Sequence, residues 1–547
     1  MDRNQKTTFL ILSLIGLIYF TVFIFPNLTG ARDATMLSVF QHDEFAQYPH
    51  VLRMLTPGET PYQSLRNFVV YQHYYYGYPF YFFSALAILP VRLVLGSGWA
   101  ANTPVIVMVL RQAVSVLPMI LAALLLVWVQ TQFRSRLRAI LLFLLMLSLP
   151  AVVSNNMWWH PDSLLVLFSV LTIFFLVRDD FRFGRNFYFS AVAVGLAFGV
   201  KILGVLFVLA YAVYIVYGLI QRRVTLKHAL LRSGLFVGLM LLTIVVSNPL
   251  LLLPQERSEI ITAFTQLLRE NTLGFWVVGN SGGGIFSQVA EIFRGDLGSA
   301  VLLLAGMIAL VFSLFIPFKR TAALVVLSWT VGYAGYFLLF ASTMRTHYLL
   351  PVALPVISFL AVLIPDTPNA RKKLVTERAA AAWRRTVLLI LVILFLNIRS
   401  GVEIVRGVLN RERDSASIQL YLQAEPGVLS QIELERKLWI YRDWRAYVAE
   451  KDAYHIEYRW QLADYSYIRE LNADVLFLER ENMVYFSDAA KIDAAIDPGR
   501  MREMVVFYGD AIKGQVEGYT LAYKTGFGSV FVRDDLFEQY LDCGCTP

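Results

Sequence analysis

The sequence predicts an all-α polytopic membrane protein that carries a small α/β domain at its C-terminal end. Of its 547 residues, 57% are hydrophobic and only 16% are charged, which is outside the range of soluble globular proteins. Apolar runs long enough to cross a bilayer recur along the chain, and from about Asn410 the composition switches abruptly to charged residues. These observations exclude a soluble enzyme and a disordered chain.

Eleven apolar runs are predicted transmembrane helices, because a bilayer core takes about 20 apolar residues per helix. The first, Thr8 to Pro26, has no small-residue cleavage site at its end, so we interpret it as a retained helix. The stretch from Tyr188 to Ile220 would be about 50 Å long as one helix, so it is split into two helices joined at Lys201. The other predicted spans cover residues 104–129, 137–153, 163–177, 233–253, 299–318, 321–342, 348–364 and 386–405.

The net charge of +8 indicates membrane orientation and not nucleic-acid binding, since the Lys and Arg residues lie in short clusters between apolar runs. Placing every cluster in the cytoplasm puts the N-terminus inside and the C-terminal domain outside the plasma (inner) membrane. It also makes Tyr78 to Leu95, which contains Pro90 and Arg92, a helix lying on the outer surface. The clusters begin at Arg3, Arg134, Arg178, Arg222, Lys319 and Arg371.

This topology predicts a transmembrane domain over residues 1–406 and an extracytoplasmic α/β domain over residues 407–547. The first domain has two large outer loops, residues 27–103 and 254–298. In the second domain, Val475 to Leu478 and Ser529 to Val532 have the composition of strands. The two cysteines, Cys543 and Cys545, are too few to form a disulfide framework.

An acidic pair, Asp43 and Glu44, follows His42 in the first outer loop. Partial desolvation by apolar neighbours raises a carboxyl pKa, which would make one of the two a usable general base. In the structural alternative, Asp43 caps the following helix and Glu44 favours its N-terminus. The spacing alone does not separate these interpretations.

Histidines collect in the predicted outer segments, which indicates a polar reaction site or a metal site. His160 and Asp162 share one short turn with Trp158 and Trp159, which we interpret as anchors at the membrane interface. No histidine pair has the i, i+4 spacing of a helical zinc motif, so a metal site is not favoured. The outer histidines are His42, His50, His73, His160 and His347.

Three basic residues lie in the outer halves of spans or in outer turns: Arg111, Lys201 and Arg345. A charge at bilayer depth is costly and usually pairs with an anion, whereas snorkelling to lipid headgroups is the structural alternative. That alternative suits Arg345 best and Lys201 least, because Lys201 has no charged neighbour in sequence. Outer cations beside an acidic pair suit an enzyme that acts on a lipid-linked phosphate.

The order and spacing of seven motifs extend this interpretation over about residues 8 to 364. They are Asp43-Glu44, Tyr76-Gly-Tyr-Pro-Phe-Tyr81-Phe-Phe-Ser-Ala, Arg111, His160-Pro-Asp162, Gly195-Leu-Ala-Phe-Gly-Val-Lys201, Asn248-Pro-Leu-Leu-Leu252 and Arg345-Thr-His-Tyr-Leu-Leu-Pro351. Together they resemble the GT-C class of membrane glycosyltransferases, in particular the branch of dolichyl-phosphate-mannose protein mannosyltransferases and aminoarabinose transferases.

The resemblance implies a GT-C-like fold and a hexosyl- or pentosyltransferase that inverts the sugar it transfers. The donor would be a sugar on a polyprenyl phosphate, and the acceptor a glycan, lipid or protein on the extracytoplasmic face. Ala46 and Gln47 stand where the aminoarabinose branch has Arg-Tyr, so that sugar is not predicted. The resemblance implies no nucleotide cofactor, and a divalent cation beside the acidic pair is a weakly supported alternative.

The site residues follow from the same resemblance. It implies that Asp43 is the catalytic base with Glu44 in support, and that Lys201, Arg111 or Arg345 binds the donor phosphate. The remaining predicted substrate-binding residues are His42, Tyr78, His160, Asp162 and His347.

A competing class is a lipid-linked glycan transporter or flippase. Transport would place ionisable groups near the bilayer midplane or along a lumen, whereas here they collect at outer ends and in outer loops. An enzyme is therefore favoured. The Gly282-Gly-Gly284 loop is interpreted as a mobile cover over the site.

Overall fold

The computed structural model describes residues 2–273, 297–341, 345–364, 377–460, 462–493, 495 and 497–541. The Gly282–Gly284 run, the basic residues 371–373, Cys543 and Cys545 lie outside the described residues. The chain forms two compact units, each taken over its described residues. The first comprises Met1–Asn27, Pro49–Leu267 and Gly284–Arg406, and the second comprises Leu28–Tyr48, Leu268–Gly283 and Gly407–Pro547.

Helices build the first unit, and some of them also include residues assigned to the second unit. In chain order they are α1 (Arg3–Val22), α2 (Ile24–Leu28), α3 (Ala34–Phe40, in the second unit), α4 (His42–Leu55), α5 (Pro61–Val69), α6 (Tyr78–Leu95), α7 (Thr103–Leu110), α8 (Leu117–Thr131), α9 (Arg136–Leu147), α10 (Pro150–Asn155), α11 (Asp162–Asp179), α12 (Arg185–Val200), α13 (Val208–Ile220), α14 (Leu226–Ser247), α15 (Pro254–Leu273), α16 (Leu297–Ser313), α17 (Arg320–Phe340), α18 (Leu350–Ser358) and α19 (Glu377–Asp414). The helices shared with the second unit in this way are α2, α4, α15 and α19. Short 3₁₀ segments lie at Gly96–Ala101, Ile202–Phe207, Pro249–Leu252, Thr346–Leu349 and Phe359–Val362, and a π-helical turn lies at Arg111–Val116.

Long apolar helices confirm a multi-pass membrane protein. Within the described ranges, seven helical stretches are long and apolar enough to cross a bilayer. One of them, Tyr78–Ala101, contains the helix that the charge pattern assigns to the outer surface. The number of spans, their orientation and the surface position of this helix therefore stay predictions. The other six stretches are Arg3–Leu28, Thr103–Thr131, Ile202–Ile220, Leu226–Ser247, Arg320–Phe340 and Trp383–Gln431.

A helical hairpin in the first unit places the start of α11 beside the end of α12. The two helices pack along their lengths and are joined by a five-residue turn. Asp179 closes that turn by accepting hydrogen bonds from the backbone N–H groups of Phe183 and Gly184. Because the chain reverses there, Asp162 and Lys201 lie at the same end of the hairpin.

A five-stranded mixed sheet is the centre of the second unit. The strands are β1 (Leu438–Arg442), β2 (Tyr454–Glu457), β3 (Val475–Glu479), β4 (Tyr519–Thr525) and β5 (Gly528–Arg533), in the spatial order β2-β1-β3-β5-β4. β1 is parallel to β2 and β3, whereas β5 is antiparallel to β3 and β4. The two stretches predicted as strands fall in β3 and β5.

Apolar side chains cover both faces of this sheet, as a mixed α/β layer structure requires. On one face, Ile418 and Leu420 of α20 (Ala416–Gly427) are buried. On the other face, Met504 and Phe507 of the helix Pro498–Lys513 are buried. The remaining helices of this unit are α21 (Tyr465–Leu471), α22 (Arg480–Phe486), α23 (Pro498–Lys513) and α24 (Asp534–Tyr540).

Part of the first predicted outer loop belongs to this second unit. Asp33 caps α3 by accepting from the Met36 N–H, and its other oxygen accepts from the Tyr447 hydroxyl at 3.0 Å. Arg442, 1% exposed, donates to Ser38 Oγ at 2.6 Å. The predicted domain division placed residues 28–48 with the transmembrane helices. Their grouping with the sheet depends on these tertiary contacts, which are distant in sequence.

Candidate functional site

The first unit brings four of the predicted site residues together around a buried carboxylate. Asp162 is 0% exposed and begins α11. Lys201 Nζ donates to its Oδ1 at 2.7 Å, and His160 Nδ1 lies 2.5 Å from its Oδ2. His347 Nε2 lies 3.8 Å from the same Oδ2. We name these four residues the Asp162 cluster.

Local backbone geometry aims these side chains at one another. Lys201 has an extended backbone (φ −151°, ψ 134°) between α12 and the 3₁₀ segment Ile202–Phe207. The helical hydrogen-bond ladder is interrupted there, which lets the side chain leave the helix surface. His347 lies in the 3₁₀ segment Thr346–Leu349, directly before α18.

The Lys201–Asp162 pair also corrects one expectation. The sequence places no charge near Lys201, but the folded chain supplies the Asp162 carboxylate, 39 residues earlier. Removing charges from water is expensive unless they are paired and hydrogen-bonded. The pair therefore explains how both charges are tolerated among apolar helices.

Aromatic rings enclose the Asp162 cluster. The Tyr76 hydroxyl is 2.7 Å from His160 Nε2, and the Trp158 ring stacks on the His160 ring with centroids 4.1 Å apart. Lys201 Nζ lies 4.7 Å from the centre of the Tyr348 ring, a cation–π contact. Neither Tyr76 nor Tyr348 was predicted as a site residue, although both lie within motifs that carry the family resemblance.

Trp159 corrects a second expectation. It was interpreted as an interfacial anchor, but its side chain is 0% exposed and its Nε1 donates to Ser84 Oγ at 2.9 Å. The ring stacks on Phe80 of α6 at 5.3 Å. Trp159 is therefore a core residue of the first unit, which fixes α6 next to the His160 turn.

Two glycines bring the Tyr76 segment against the end of α12. The Gly77 N–H donates to the Val200 carbonyl at 3.1 Å. A Cβ on Gly77 would lie 1.6 Å from the Gly199 carbonyl oxygen, so the position has no room for another residue. Tyr78 follows, and its backbone N–H donates to Asn248 Oδ1 at 2.9 Å. The Tyr78 ring packs on Phe82 and Phe68, and its substrate-binding role stays a prediction.

Two further histidines of the first unit lie close together. His73 Nδ1 is 2.5 Å from the Tyr81 hydroxyl, and the His50 and His73 rings are 5.2 Å apart. Burial, and then the neighbouring His50, lower the pKa of His73 to about 4. His73 is therefore neutral near pH 7 and cannot serve as a fixed positive charge for an anionic ligand.

The other two candidate phosphate-binding cations differ in exposure. Arg111 begins the π-helical turn, is 0% exposed, and donates to the Asn27 carbonyl at 2.9 Å. Arg345 is exposed. Their contact with a phosphate stays a prediction.

The predicted catalytic pair lies at the start of α4, in the part of the chain that groups with the second unit. Asp43 is half-buried and Glu44 is 0% exposed, and both are in the first turn of the helix. His42 packs edge-on against Trp444 at 4.0 Å. Burial, followed by Arg445 and Arg442, lowers the pKa of His42 to about 3, so this ring is neutral near pH 7.

A metal centre has no structural support in the described part of the chain. No group of three or more His, Cys, Asp or Glu side chains is placed there to hold an ion. The Asp162 cluster is instead a buried carboxylate that accepts a hydrogen bond from one ammonium and has two imidazoles beside it.

Comparisons with known proteins agree with this architecture. Residues 95–248 match the dolichyl-phosphate-mannose-protein mannosyltransferase family, and no curated protein matches the sequence. The crystal structure of ArnT from Cupriavidus metallidurans bound to undecaprenyl phosphate is similar, with a TM-score of 0.52, 12% identity, and coverage of 95% of this chain and 97% of that one. The apo state of the same protein has a TM-score of 0.50, 13% identity and the same coverage.

A third structure is more distant. The Archaeoglobus fulgidus oligosaccharyltransferase, in complex with zinc and sulfate, has a TM-score of 0.46 and 11% identity, covering 96% of this chain and 73% of that one. The family match over residues 95–248 and the ArnT-like fold over most of the chain confirm the resemblance to the GT-C class of membrane glycosyltransferases.

Proposed function

We propose that this protein is an inverting glycosyltransferase that moves a sugar from a polyprenyl phosphate to an acceptor on the extracytoplasmic face of the membrane. The observation that carries the proposal is Lys201, a 12% exposed ammonium held by the buried Asp162 at a break between two apolar helices. The ArnT structure with a similar fold was crystallised with undecaprenyl phosphate, which supports a polyprenyl donor for this chain.

Lys201 is proposed to bind the donor phosphate. An ammonium has three hydrogen-bond donors, and Asp162 uses one of them in this structure. The other two can contact phosphate oxygens as negative charge builds on the departing phosphate. Asp162, His160 and His347 would then keep Lys201 in place, and Arg111 and Arg345 are the further candidates for phosphate contact.

Asp43 is proposed as the general base. It would take the proton from an acceptor hydroxyl while that oxygen attacks the anomeric carbon of the sugar. The bond between the sugar and the phosphate breaks, and the polyprenyl phosphate leaves with the bonding electrons. Asp43 is half-buried, whereas Glu44 is fully buried and is assigned a supporting role.

Mass spectrometry of lipid-linked sugars and surface glycans, with and without the gene, tests this function. Loss of the enzyme should make one polyprenyl-phosphate sugar accumulate and one surface glycan lose the matching residue. If the protein were a flippase, its loss would instead leave a lipid-linked glycan trapped on the cytoplasmic face. Unchanged sugars in both pools would contradict the proposal.

A further inference from the structure

The carboxyl edge of the parallel strands in the second unit has the position of a ligand site. The chain leaves β1 towards β2 on one side and then returns to β3 on the other side of β1. Such a reversal opens a crevice at the carboxyl ends of the two strands, which is where open α/β sheets bind ligands. Asp443 directly follows β1, and Glu479 ends β3.

Two buried carboxyl groups meet at this edge. Asp443 is 0% exposed, and its oxygens accept from the Tyr508 hydroxyl at 2.7 Å and from the Glu479 N–H at 3.1 Å. Glu479 is 5% exposed, and its Oε2 has no hydrogen-bond partner among the described residues. A buried carboxylate oxygen without a partner is costly, so this atom is a binding position for a hydrogen-bond donor.

Aromatic and basic side chains lie beside the carboxyl groups. A tight turn follows β1, closed by the Ala446 N–H donating to the Asp443 carbonyl at 2.8 Å, and its corners are Trp444 and Arg445. Trp444 is partly buried: the Arg445 guanidinium lies 4.6 Å from the centre of its ring, the His42 ring packs on it at 4.0 Å, and Trp460 lies 5.9 Å away. Arg445 Nη1 is also 3.5 Å from Glu481 Oε2, a weak and exposed pair. The edge therefore offers a hydrogen-bond acceptor, a guanidinium donor stacked on Trp444, and the remaining aromatic surface of Trp444 and Trp460.

We propose that this edge binds a sugar ring of the acceptor, with Glu479 accepting a hydrogen bond from a hydroxyl, Arg445 donating to a ring substituent, and Trp444 packing against the apolar face of the ring. Sugars combine hydroxyl groups that donate and accept with patches of C–H groups, and this set of side chains complements both. Identifying the sugar as the acceptor rests on the proposed function, whereas sugar binding itself does not.

Titration of the full-length protein in nanodiscs with free sugars tests the inference. The probes are glucose, mannose, galactose, N-acetylglucosamine and glucosamine, with binding followed by calorimetry and tryptophan fluorescence. At least one sugar should bind saturably. At pH 8, Glu479→Ala should weaken that binding about tenfold or more, the effect of losing a hydrogen bond to a charged group. Trp444→Phe should remove the fluorescence change.

Matched variants separate binding from folding. Glu479→Gln preserves shape and should weaken binding less than Glu479→Ala, and Glu470→Gln, an exposed change in α21, should leave it unaltered. The inference would be overturned if no sugar bound saturably, or if wild type and Glu479→Ala bound the sugar with equal affinity. It would also be overturned if the heat and fluorescence changes appeared with CaCl₂ and with none of the sugars.

A parallel titration with undecaprenyl phosphate distinguishes the two proposals. The proposed function requires wild-type binding of this lipid, and Glu479→Ala should not change it. Failure to bind undecaprenyl phosphate would count against the proposed function while the sugar titration still decides the inference.

Discussion

Lys201 shows that the polar residues of the Asp162 cluster could be singled out in the sequence, whereas the contacts between them could not. A lone Lys between apolar runs is visible in sequence because a charge there is costly. Its partner Asp162 and the imidazoles of His160 and His347 were predicted separately, each as an unusual polar residue in an outer segment. Tyr76 and Tyr348 were missed because they are two of 28 tyrosines in the chain, and only the fold brings these two to the cluster.

Lys201→Ala should impair use of the donor. We expect a loss in kcat/KM for the polyprenyl-phosphate sugar on the order of 2 to 4 kcal/mol, with acceptor dependence unchanged. Kinetics with each substrate varied in turn measure this. Because the variant leaves Asp162 buried without its partner, the double variant Asp162→Asn/Lys201→Met serves as a second test without the charge imbalance. Lys227→Ala, exposed at the start of α14, is the control. Donor kinetics equal to wild type would leave Lys201 as a structural ion-pair partner of Asp162.

Asp43→Asn should lower turnover at least about 100-fold, the lower end of the range for loss of a general base. The variant should still insert into the membrane and bind undecaprenyl phosphate, since the change is isosteric. Steady-state turnover beside a lipid-binding titration checks both points. Glu59→Gln, an exposed acid in the same outer loop, should retain activity. Near-normal turnover in Asp43→Asn would move the base to another carboxylate.

Glu479 should make the stability of the second unit depend on pH. Burial, followed by the Asp443 carboxylate, raises its pKa to about 7, and Arg445 and Glu481 are the other charged groups that face it. The folded chain therefore keeps this proton between about pH 4.5 and 7, where the unfolded chain has released it. This contribution to stability is present at low pH and is lost as the pH rises to about 7.

The melting temperature of wild type relative to Glu479→Gln should thus fall by a few degrees between pH 5 and pH 8. Thermal unfolding of the two proteins in the same detergent measures this difference. For Glu470→Gln, the difference in melting temperature from wild type should be the same at both pH values. If the difference for Glu479→Gln were also the same at both pH values, Glu479 would not hold an extra proton in the folded chain.

At the scale of elements, the apolar runs predicted the positions of the helices well because long apolar stretches have few alternatives in a membrane. Interruptions within them were harder to predict. The break at Lys201 was expected from the length of the run, whereas the π-helical turn at Arg111–Val116 was not predicted. Its sequence signal is Pro118, which has no N–H to donate to the carbonyl of Val114 one turn earlier. Residues 28–48 joined the sheet unit through contacts such as Arg442 with Ser38, which no local pattern reveals.

Gly77→Ala should separate the Tyr76 segment from α12. The added Cβ would overlap the Gly199 carbonyl oxygen, and overpacking of this kind costs about 1 to 3 kcal/mol. We expect lower thermal stability and a large loss of activity, measured on the same purified preparation. Gly238→Ala is the matched control, because a Cβ there meets nothing within 4 Å. Equal effects of the two changes would show that the close approach of Gly77 and Gly199 is not required.

At the scale of the whole molecule, the orientation in the membrane follows from the charge clusters and stays a prediction. After replacement of Cys543 and Cys545 by Ser, single cysteines at Glu59 and Ser430 should react with an impermeant reagent in intact cells. Cysteines at Arg136 and Arg222 should react only after lysis. All four positions are exposed, so lack of reaction reports sidedness and not burial. Labelling of position 136 from outside would restore Tyr78–Leu95 as a true span.

Transfer by the purified, reconstituted protein tests the central claim most directly. The enzyme would be incubated with polyprenyl-phosphate sugars and surface-glycan acceptors, and products would be identified by mass spectrometry. We predict one free polyprenyl phosphate for each glycosylated acceptor, with inverted configuration at the anomeric carbon. A preparation that binds undecaprenyl phosphate, yet releases no polyprenyl phosphate with any donor and acceptor, or instead moves the intact lipid-linked sugar across the bilayer, would contradict the account.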